Sequence, residues 1–511
     1  MEQPNLCKSR SIVGERTDRR FEWPFPDPPK RSHLKEKKGT TMHTSTTPFG
    51  DPWLSSARSD DSYKWVVLLV TSLSAFMTPF DSSVVNIALP SISTALGMDI
   101  TSTTWVQISY LLAMCAPLVS AGRLGDLKGR KPLFIFGTLA FTAGSASSAY
   151  SGSGTQLLLS RAIQGFGASF ISANATAILV DTFPGRDRGK ALGVNTMVVY
   201  TGLTAGPLLG GLLVQSFGWR SIFLMNIPLG ITVALLSFKW LRAGRKSLEE
   251  SFDLLGAALF AISLASSLAA LSLARSSASE PLPVILLAVT GAVTFSVFLL
   301  AESRLITHPM LDLSLFAKNR LFSAANATAL AYYVSSNSTS FLVSYYLQSV
   351  LGLSPGEAGL TLLVMPLAMA LISPLSGWVS DRSGSRVMSS LGMAIVGVSF
   401  VMLSLLRVGG SPQEALMGLL LCGIGSGIFS APNSSAVMGS LPREKLGVAS
   451  GTLGTMRFTG QAVSMTIAGA LLTGSTASAN LFVLAMSSAF IVSTVIAGIG
   501  FLVSISRGNK M

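Results

Sequence analysis

The sequence predicts an all-α integral membrane protein that crosses the bilayer many times, on three grounds. Hydrophobic residues make up 49% of the 511 and charged residues only 12%, about half the charge of an ordinary soluble chain. The charge is also crowded, with 12 Lys/Arg and 9 Asp/Glu inside residues 1–64. What remains cannot coat a water-exposed surface, and a mean hydropathy of +0.55 agrees. A soluble enzyme is thereby excluded. Third, the apolar residues fall into fourteen runs, each close to the ~20 residues that a helix needs to cross ~30 Å of hydrocarbon.

In chain order the runs lie at about 65–88, 104–124, 132–150, 156–180, 190–214, 221–240, 253–274, 282–301, 322–348, 358–379, 387–406, 412–436, 448–473 and 481–504. Ahead of them, residues 1–63 lack an apolar h-region, which argues against a secretory signal. Their Pro, Ser, Thr, Lys and Arg content reads as a disordered cytoplasmic tail; Met42 is an alternative start. Spans one to six then form a bundle over 64–240. Residues 241–320 hold the Ala-, Ser- and Leu-rich seventh and eighth spans, 321–506 a second bundle, and 507–511 a short C-terminus.

The loops test this division. On the side shared with the N-terminus they carry 20 Lys/Arg, counting the C-terminal pair, against 3 on the opposite side (Arg220, Arg275 and Arg407). So strong a positive-inside bias places both termini in the cytoplasm and supports an even number of spans. It also explains the net charge of +13 without nucleic acid. Cys7, Cys115 and Cys422 supply no disulfide framework, and His33, His43 and His308 have no metal-ligand spacing. No GxxxxGK[ST] sequence occurs in the predicted cytoplasmic loops, so ATP-driven pumping lacks support.

An internal repeat organises the spans. GRLGDLKGRK (Gly122 to Lys131) matches GWVSDRSGSR (Gly377 to Arg386) at an offset of 255, pairing Asp126 with Asp381 and Lys131 with Arg386. GFGASFISANATA (Gly165 to Ala177) matches GIGSGIFSAPNSSA (Gly423 to Ala436) at an offset near 258. Spans one to six and nine to fourteen are therefore duplicated halves, with two spans inserted between. Duplicated halves rocking about a midplane site are the architecture of a secondary transporter.

Four segments in order then resemble the major facilitator superfamily, in its fourteen-span drug:proton antiporter branch. GRLGDLKGRK resembles the cytoplasmic gating motif, and RAIQGFGAS (Arg161 to Ser169) the fourth-span motif linked to proton transfer. GLTAGPLLGG (Gly202 to Gly211) resembles the antiporter motif, and FDSSVVNIALP (Phe80 to Pro90) the first-span signature of the branch. TTWVQISYLLA, GWRSIFLMNIPLG, FDLLG and YYLQSVLGLSPGEAG support the match, which covers roughly 62–506. The resemblance implies a major facilitator fold of two six-helix bundles plus two inserted helices, fourteen transmembrane helices in all.

Asp81 is the acidic residue placed deepest in a span, where an ionisable group is costly unless it pairs or lines a cavity. Arg161 is its candidate partner, and the resemblance implies that the two form a proton-coupling site; the plain alternative is a static buried pair. Asp126, just before the third span, reads most simply as a helix N-cap worth about 1 kcal/mol. The resemblance implies a gate instead, built from Gly122, Asp126, Gly129, Arg130, Lys131 and Asp181, with Asp381 in the second copy, where Ser385 stands in the place of Arg130. Gly202, Gly206, Pro207, Gly210 and Gly211 put small residues at helical spacing around a proline, which suits close helix packing and, by resemblance, a seal against leak. Trp105, Gln107, Tyr110, Asn174, Asn326, Gln348, Asn433 and Arg457 are candidates to line a central cavity, most of them equally suited to helix–helix hydrogen bonds.

The expectation is a non-enzymatic multi-pass protein of the plasma or cell inner membrane, monomeric, surrounded by lipid and without cofactor. It would use the proton gradient to export small amphipathic molecules or drugs by antiport. A dedicated exporter of one metabolite and a non-transporting membrane sensor are the alternatives.

Overall fold

The computed structural model describes residues 52–183, 188–242, 253–274, 281–304, 313–441, 446–475 and 478–507. The greater part of the predicted tail and C-terminus, and several loop cations used for orientation, lie outside the described residues. Those described are helical throughout, apart from turns and short connections. Helix α1 (Pro52–Leu96) opens ahead of the predicted boundary at 64. It is followed by α2 (Ile100–Cys115), α3 (Leu118–Lys128), α4 (Arg130–Ala149), α5 (Gly154–Thr182) and α6 (Arg188–Phe217), then by α7 (Ser221–Leu224) and α8 (Asn226–Trp240). The inserted segment forms α9 (Leu254–Leu273) and α10 (Pro281–Arg304). The second repeat begins with the short α11 (Leu313–Lys318), then α12 (Arg320–Ser336) and α13 (Thr339–Tyr345), which runs into a π-helical turn at Tyr346–Val350. It ends with α14 (Pro355–Ser383), α15 (Ser385–Ser404), α16 (Pro412–Gly439), α17 (Leu446–Leu472) and α18 (Ala479–Ser506).

Local chemistry sets the helix starts. Asp99 accepts from the Thr101 and Ser102 amides to open α2, and Ser354 with Glu357 forms a complete capping box on α14, each satisfying amides that a helix N-terminus orphans. The gate loop departs from expectation. The residue before α4 is Gly129, which makes no side-chain cap, and Asp126 lies inside α3 rather than capping the next helix. Gly129 has φ +100° and Gly384 before α15 has φ +85°, so both copies of the loop need glycine for the same backbone reason.

Ten described helical segments are long and apolar enough to cross a membrane on their own. The other four predicted runs, at 104–124, 132–150, 322–348 and 448–473, coincide with helices of more polar or interrupted character. The run at 104–124 breaks between α2 and α3 at Ala116 and Pro117, where proline removes a backbone donor. The run at 322–348 breaks at Asn337 and Ser338, and α17 satisfies the break: the Ser338 amide donates to Ser464 Oγ at 3.0 Å.

Glycine lets the helices of each repeat approach closely, and the second repeat copies the first. A Cβ on Gly137 would sit 2.8 Å from the Gly167 carbonyl, locking α4 on α5; one on Gly392 would sit 2.7 Å from the Gly425 carbonyl, locking α15 on α16. Those two pairs fall at the repeat offsets of 255 and 258. Between the repeats, α2 packs on α17 and α6 on α14. The inserted α9 and α10 pack on each other, and α9 lies against α2 and α17.

Candidate functional site

Asp81 and Arg161 meet in the middle of the first repeat. Asp81 is 1% exposed and Arg161 0%. Arg161 Nη1 donates to Asp81 Oδ2 at 2.6 Å and to Gln164 Oε1 at 2.7 Å. Its Nη2 reaches Gln107 Oε1 at 3.1 Å, and its Nε the Val106 carbonyl at 3.2 Å. The other carboxylate oxygen, Asp81 Oδ1, accepts from Gln164 Nε2 and Asn226 Nδ2, each at 2.8 Å. Gln107 is itself held by the Ser82 carbonyl and hydroxyl at 2.9 Å. The Tyr110 ring lies 4.2 Å from the guanidinium carbon, a desolvated cation–π contact.

Four helices thus converge on one buried pair: α1, α2, α5 and α8. Desolvating two charges is costly, and only full hydrogen bonding offsets it. Gln107 and Tyr110, candidates for the cavity, serve this network. Gln164 and Asn226 escaped the sequence reading, although both stand in segments that carry the resemblance: Gln164 three residues after Arg161 in RAIQGFGAS, Asn226 in GWRSIFLMNIPLG.

The antiporter motif faces two ways. A Cβ on Gly202 would lie 2.8 Å from the Phe76 carbonyl, one on Gly206 2.5 Å from Ser83 Cβ, and one on Gly210 3.3 Å from Val84, so glycine at every fourth residue seats α6 on α1. On the other side, Gly211 would meet the Pro355 carbonyl at 2.4 Å, and Gly359 the Pro207 carbonyl at 2.2 Å, joining α6 to α14. Pro207 has no amide to give the Leu203 carbonyl four residues back, and the Ser83 hydroxyl donates to that oxygen at 3.1 Å. The kink is therefore hydrogen-bonded as well as packed. The same end, predicted to be extracellular, is closed by Gln348 Nε2 donating to the Ile87 carbonyl at 3.1 Å and by the Thr101–Thr473 hydroxyl pair at 2.9 Å.

At the opposite end, Arg130 donates to the Ala177 carbonyl at 3.0 Å and pairs with Asp181 at the end of α5. Lys131 Nζ donates to the Phe238 carbonyl at 2.9 Å, near the C-terminus of α8. Gly122 lies close to Ala173, and a Cβ on Gly125 would overlap Asn174 Oδ1. Asn174 is therefore buried under the gate loop, its Nδ2 on the Phe170 carbonyl at 2.9 Å. Asp126 lies in α3 and Asp381 in α14. In the second repeat the cation comes from elsewhere: Arg507, just after α18, is fully buried and donates to Asn433 Oδ1 at 2.8 Å and to the Ser385 carbonyl. Burial, and the charge of Arg386 nearby, pull its pKa down to about 10.

The remaining candidates separate. Trp105 Nε1 donates to Ser272 Oγ of the inserted α9 at 2.9 Å, and Asn326 caps the Phe322 carbonyl of its own helix at 2.9 Å. Arg457 is half-buried, and its Nε makes no side-chain hydrogen bond. Its guanidinium lies 5.8 Å from the Tyr333 ring and 5.4 Å from that of Phe458, and its charge reaches Tyr110. The Tyr200 hydroxyl of α6 bonds Ser430 of α16 across the repeat boundary at 3.0 Å.

Apolar helices folded around a buried charged network, and closed by glycine contacts at one end, define a multi-pass membrane protein of transporter architecture. Solved structures of that architecture resemble the chain. A D-xylose–proton symporter aligns with TM-score 0.65 at 13% identity, covering 87% of this chain and 98% of its own. A peptide transporter of the POT family, bound to sulfate, aligns with TM-score 0.64 at 16% identity over 86% and 96%. The chain belongs to the Major Facilitator Superfamily, whose sequence profile matches residues 71–317 and 324–508. It is 33% identical to the riboflavin transporter RibZ of Clostridioides difficile, over 77% of this chain and 85% of that protein. It is 32% identical to the multidrug resistance protein Stp of Mycobacterium tuberculosis, over 80% and 75%. The multidrug transporter MdtP of Bacillus subtilis matches at 28%, over 79% and 75%. The protein is thus a multi-pass transporter of small molecules from a family that is not enzymatic.

Proposed function

We propose that the protein exports small amphipathic molecules in exchange for protons, by alternating access, with Asp81 as the proton-carrying group. The observation that carries this reading is the sealed Asp81–Arg161 pair. Protonating Asp81 removes the counter-charge from a fully buried guanidinium. Arg161 keeps three neutral acceptors, Gln164, Gln107 and the Val106 carbonyl, so it stays hydrogen-bonded while it loses its ion pair. Asp81 keeps Gln164 and Asn226. The pair can therefore open on protonation with both side chains still hydrogen-bonded, and the electrostatic cost is relieved by a shift among α1, α2, α5 and α8.

Tyr110 links this event to the repeat boundary, since its ring lies on Arg161 and it feels the charge of Arg457. The α6–α14 contacts at the predicted extracellular end would seal the state in which the cavity opens to the cytoplasm. Relatives named for multidrug resistance and for tetracenomycin C export support outward transport. In this reading the protein works as a monomer in the plasma or inner membrane, with both termini in the cytoplasm and the proton gradient as its only energy source.

Efflux from proteoliposomes under an imposed pH gradient tests the proposal, with wild type beside Asp81→Asn and a dye panel spanning cationic, neutral and anionic charge. Gradient-driven efflux by the wild type, lost by at least about tenfold in a folded Asp81→Asn variant, is the expected result. Full activity in the variant would remove Asp81 from coupling.

A further inference from the structure

We infer that Arg457 and the tyrosines around it form the recognition site for flat aromatic molecules bearing a negative charge, in preference to lipophilic cations. This names the substrate class for the transport reading above and rests on it. Arg457 is the cation of α17, and its Nε is buried without a hydrogen-bond partner. Among the described residues no carboxylate pairs with it. A guanidinium left this way is an incomplete site, because its planar fork matches a carboxylate, sulfonate or phenolate.

The surroundings are aromatic. Tyr333 and Phe458 lie within 6 Å of the guanidinium, and the Tyr200 hydroxyl of α6 bonds Ser430 of α16. Tyr332 extends the aromatic surface, with its ring 5.0 Å from that of Tyr333 and 4.5 Å from that of Phe429. Such rings favour a flat π-system, and their hydroxyls can hydrogen-bond a polar edge. Tyr333, Phe458, Tyr200 and Arg457 are each half-buried, in contrast to the fully buried Asp81 and Arg161. Among the described residues no carboxylate is paired with Arg457, and Asp81 is already engaged by Arg161, Gln164 and Asn226. A cationic substrate would find no free counter-ion and would be repelled by Arg457.

The test is equilibrium binding of two xanthene dyes of the same shape and opposite charge. Fluorescein, an anion, and rhodamine 123, a cation, are titrated against purified full-length protein and followed by fluorescence anisotropy. Fluorescein is expected to bind at least about tenfold tighter, the size of one charge-assisted contact. Arg457→Gln should abolish that preference and Arg457→Lys retain part of it, with thermal melts verifying the fold of both. Tighter binding of rhodamine 123, equal binding, binding of neither dye, or a preference that survives Arg457→Gln would each overturn the proposal. No proton gradient is imposed in the binding assay, so full gradient-driven efflux by Asp81→Asn with fluorescein binding intact would overturn the antiport mechanism and leave this site standing.

Discussion

In the first repeat, α5 buries Arg161 against Asp81; at the matching position of the second repeat, 258 residues on, α16 buries Leu419. The helix crossing around both residues is the same, with Gly137 and Gly167 reproduced by Gly392 and Gly425. The scaffold was copied and the charge was not. The gates differ in a parallel way. Arg130 holds α5 from the first residue of α4, whereas Ser385 opens α15 with no charge and its carbonyl accepts from Arg507, which arrives from the end of α18. Backbone packing depends on close approach, which tolerates little besides glycine. A charge is constrained only by where it must act, so it can be moved or dropped once one copy suffices. The comparison teaches a division of labour: the buried ion pair stands in the first repeat, and Arg457 among its aromatic neighbours in the second.

The difference breaks most sharply at the buried pair. Asp81→Leu leaves Arg161 without a counter-ion and should cost about 3–5 kcal/mol of stability, much of it recovered in Asp81→Leu/Arg161→Met. Thermal unfolding in detergent measures both, and equal melting of single and double variants would show that the two residues are not one energetic unit. Leu419→Ala, by contrast, should show only the cavity cost of a core leucine, about 2–5 kcal/mol, with no second-site partner able to repair it.

The gates should differ by less, and in the reverse order. Arg507→Leu strands the buried Asn433 oxygen and should cost about 1–3 kcal/mol. Arg130→Leu removes an ion pair whose side chains are 23% and 64% exposed, so solvent screens it and about 0.2–1 kcal/mol is expected. Melting curves decide, and a larger loss at Arg130 would invert the comparison. Because burial lowers the Arg507 pKa to about 10, the folded protein holds that proton less tightly than the unfolded chain. Stability from this group therefore improves only as pH climbs from about 10 toward the usual guanidinium value. Between pH 5 and 9 the Arg507→Leu difference should be flat, and a slope there would mean that another group titrates with it.

The smallest effect belongs to the inserted helices. Trp105→Phe removes one hydrogen bond to Ser272 and should lower stability by about 1 kcal/mol or less while leaving efflux intact. Loss of efflux would give α9 a part in the cycle rather than a place beside it.

Much of this was legible in residue order. Apolar runs of bilayer length, loop charge and the offset of 255 follow from local composition, so span positions, the repeat and the isolation of Asp81 could be read without coordinates. The pairing of Asp81 with Arg161 was an expectation from type and depth. Its neighbours were not foreseeable: Gln164 and Asn226 look like ordinary polar residues until α5 and α8 turn them onto one carboxylate. Nor does sequence say that Trp105 turns to α9, that Asn174 lies beneath the gate loop, or that Ser83 satisfies the carbonyl that Pro207 orphans. By itself the sequence determined which segments leave water and where charge is scarce, because partitioning depends on each residue and its near neighbours. Only the tertiary structure decided which polar groups meet, because a hydrogen bond needs both partners within about 3 Å and residues 80 to 145 positions apart reach that distance only when their helices pack.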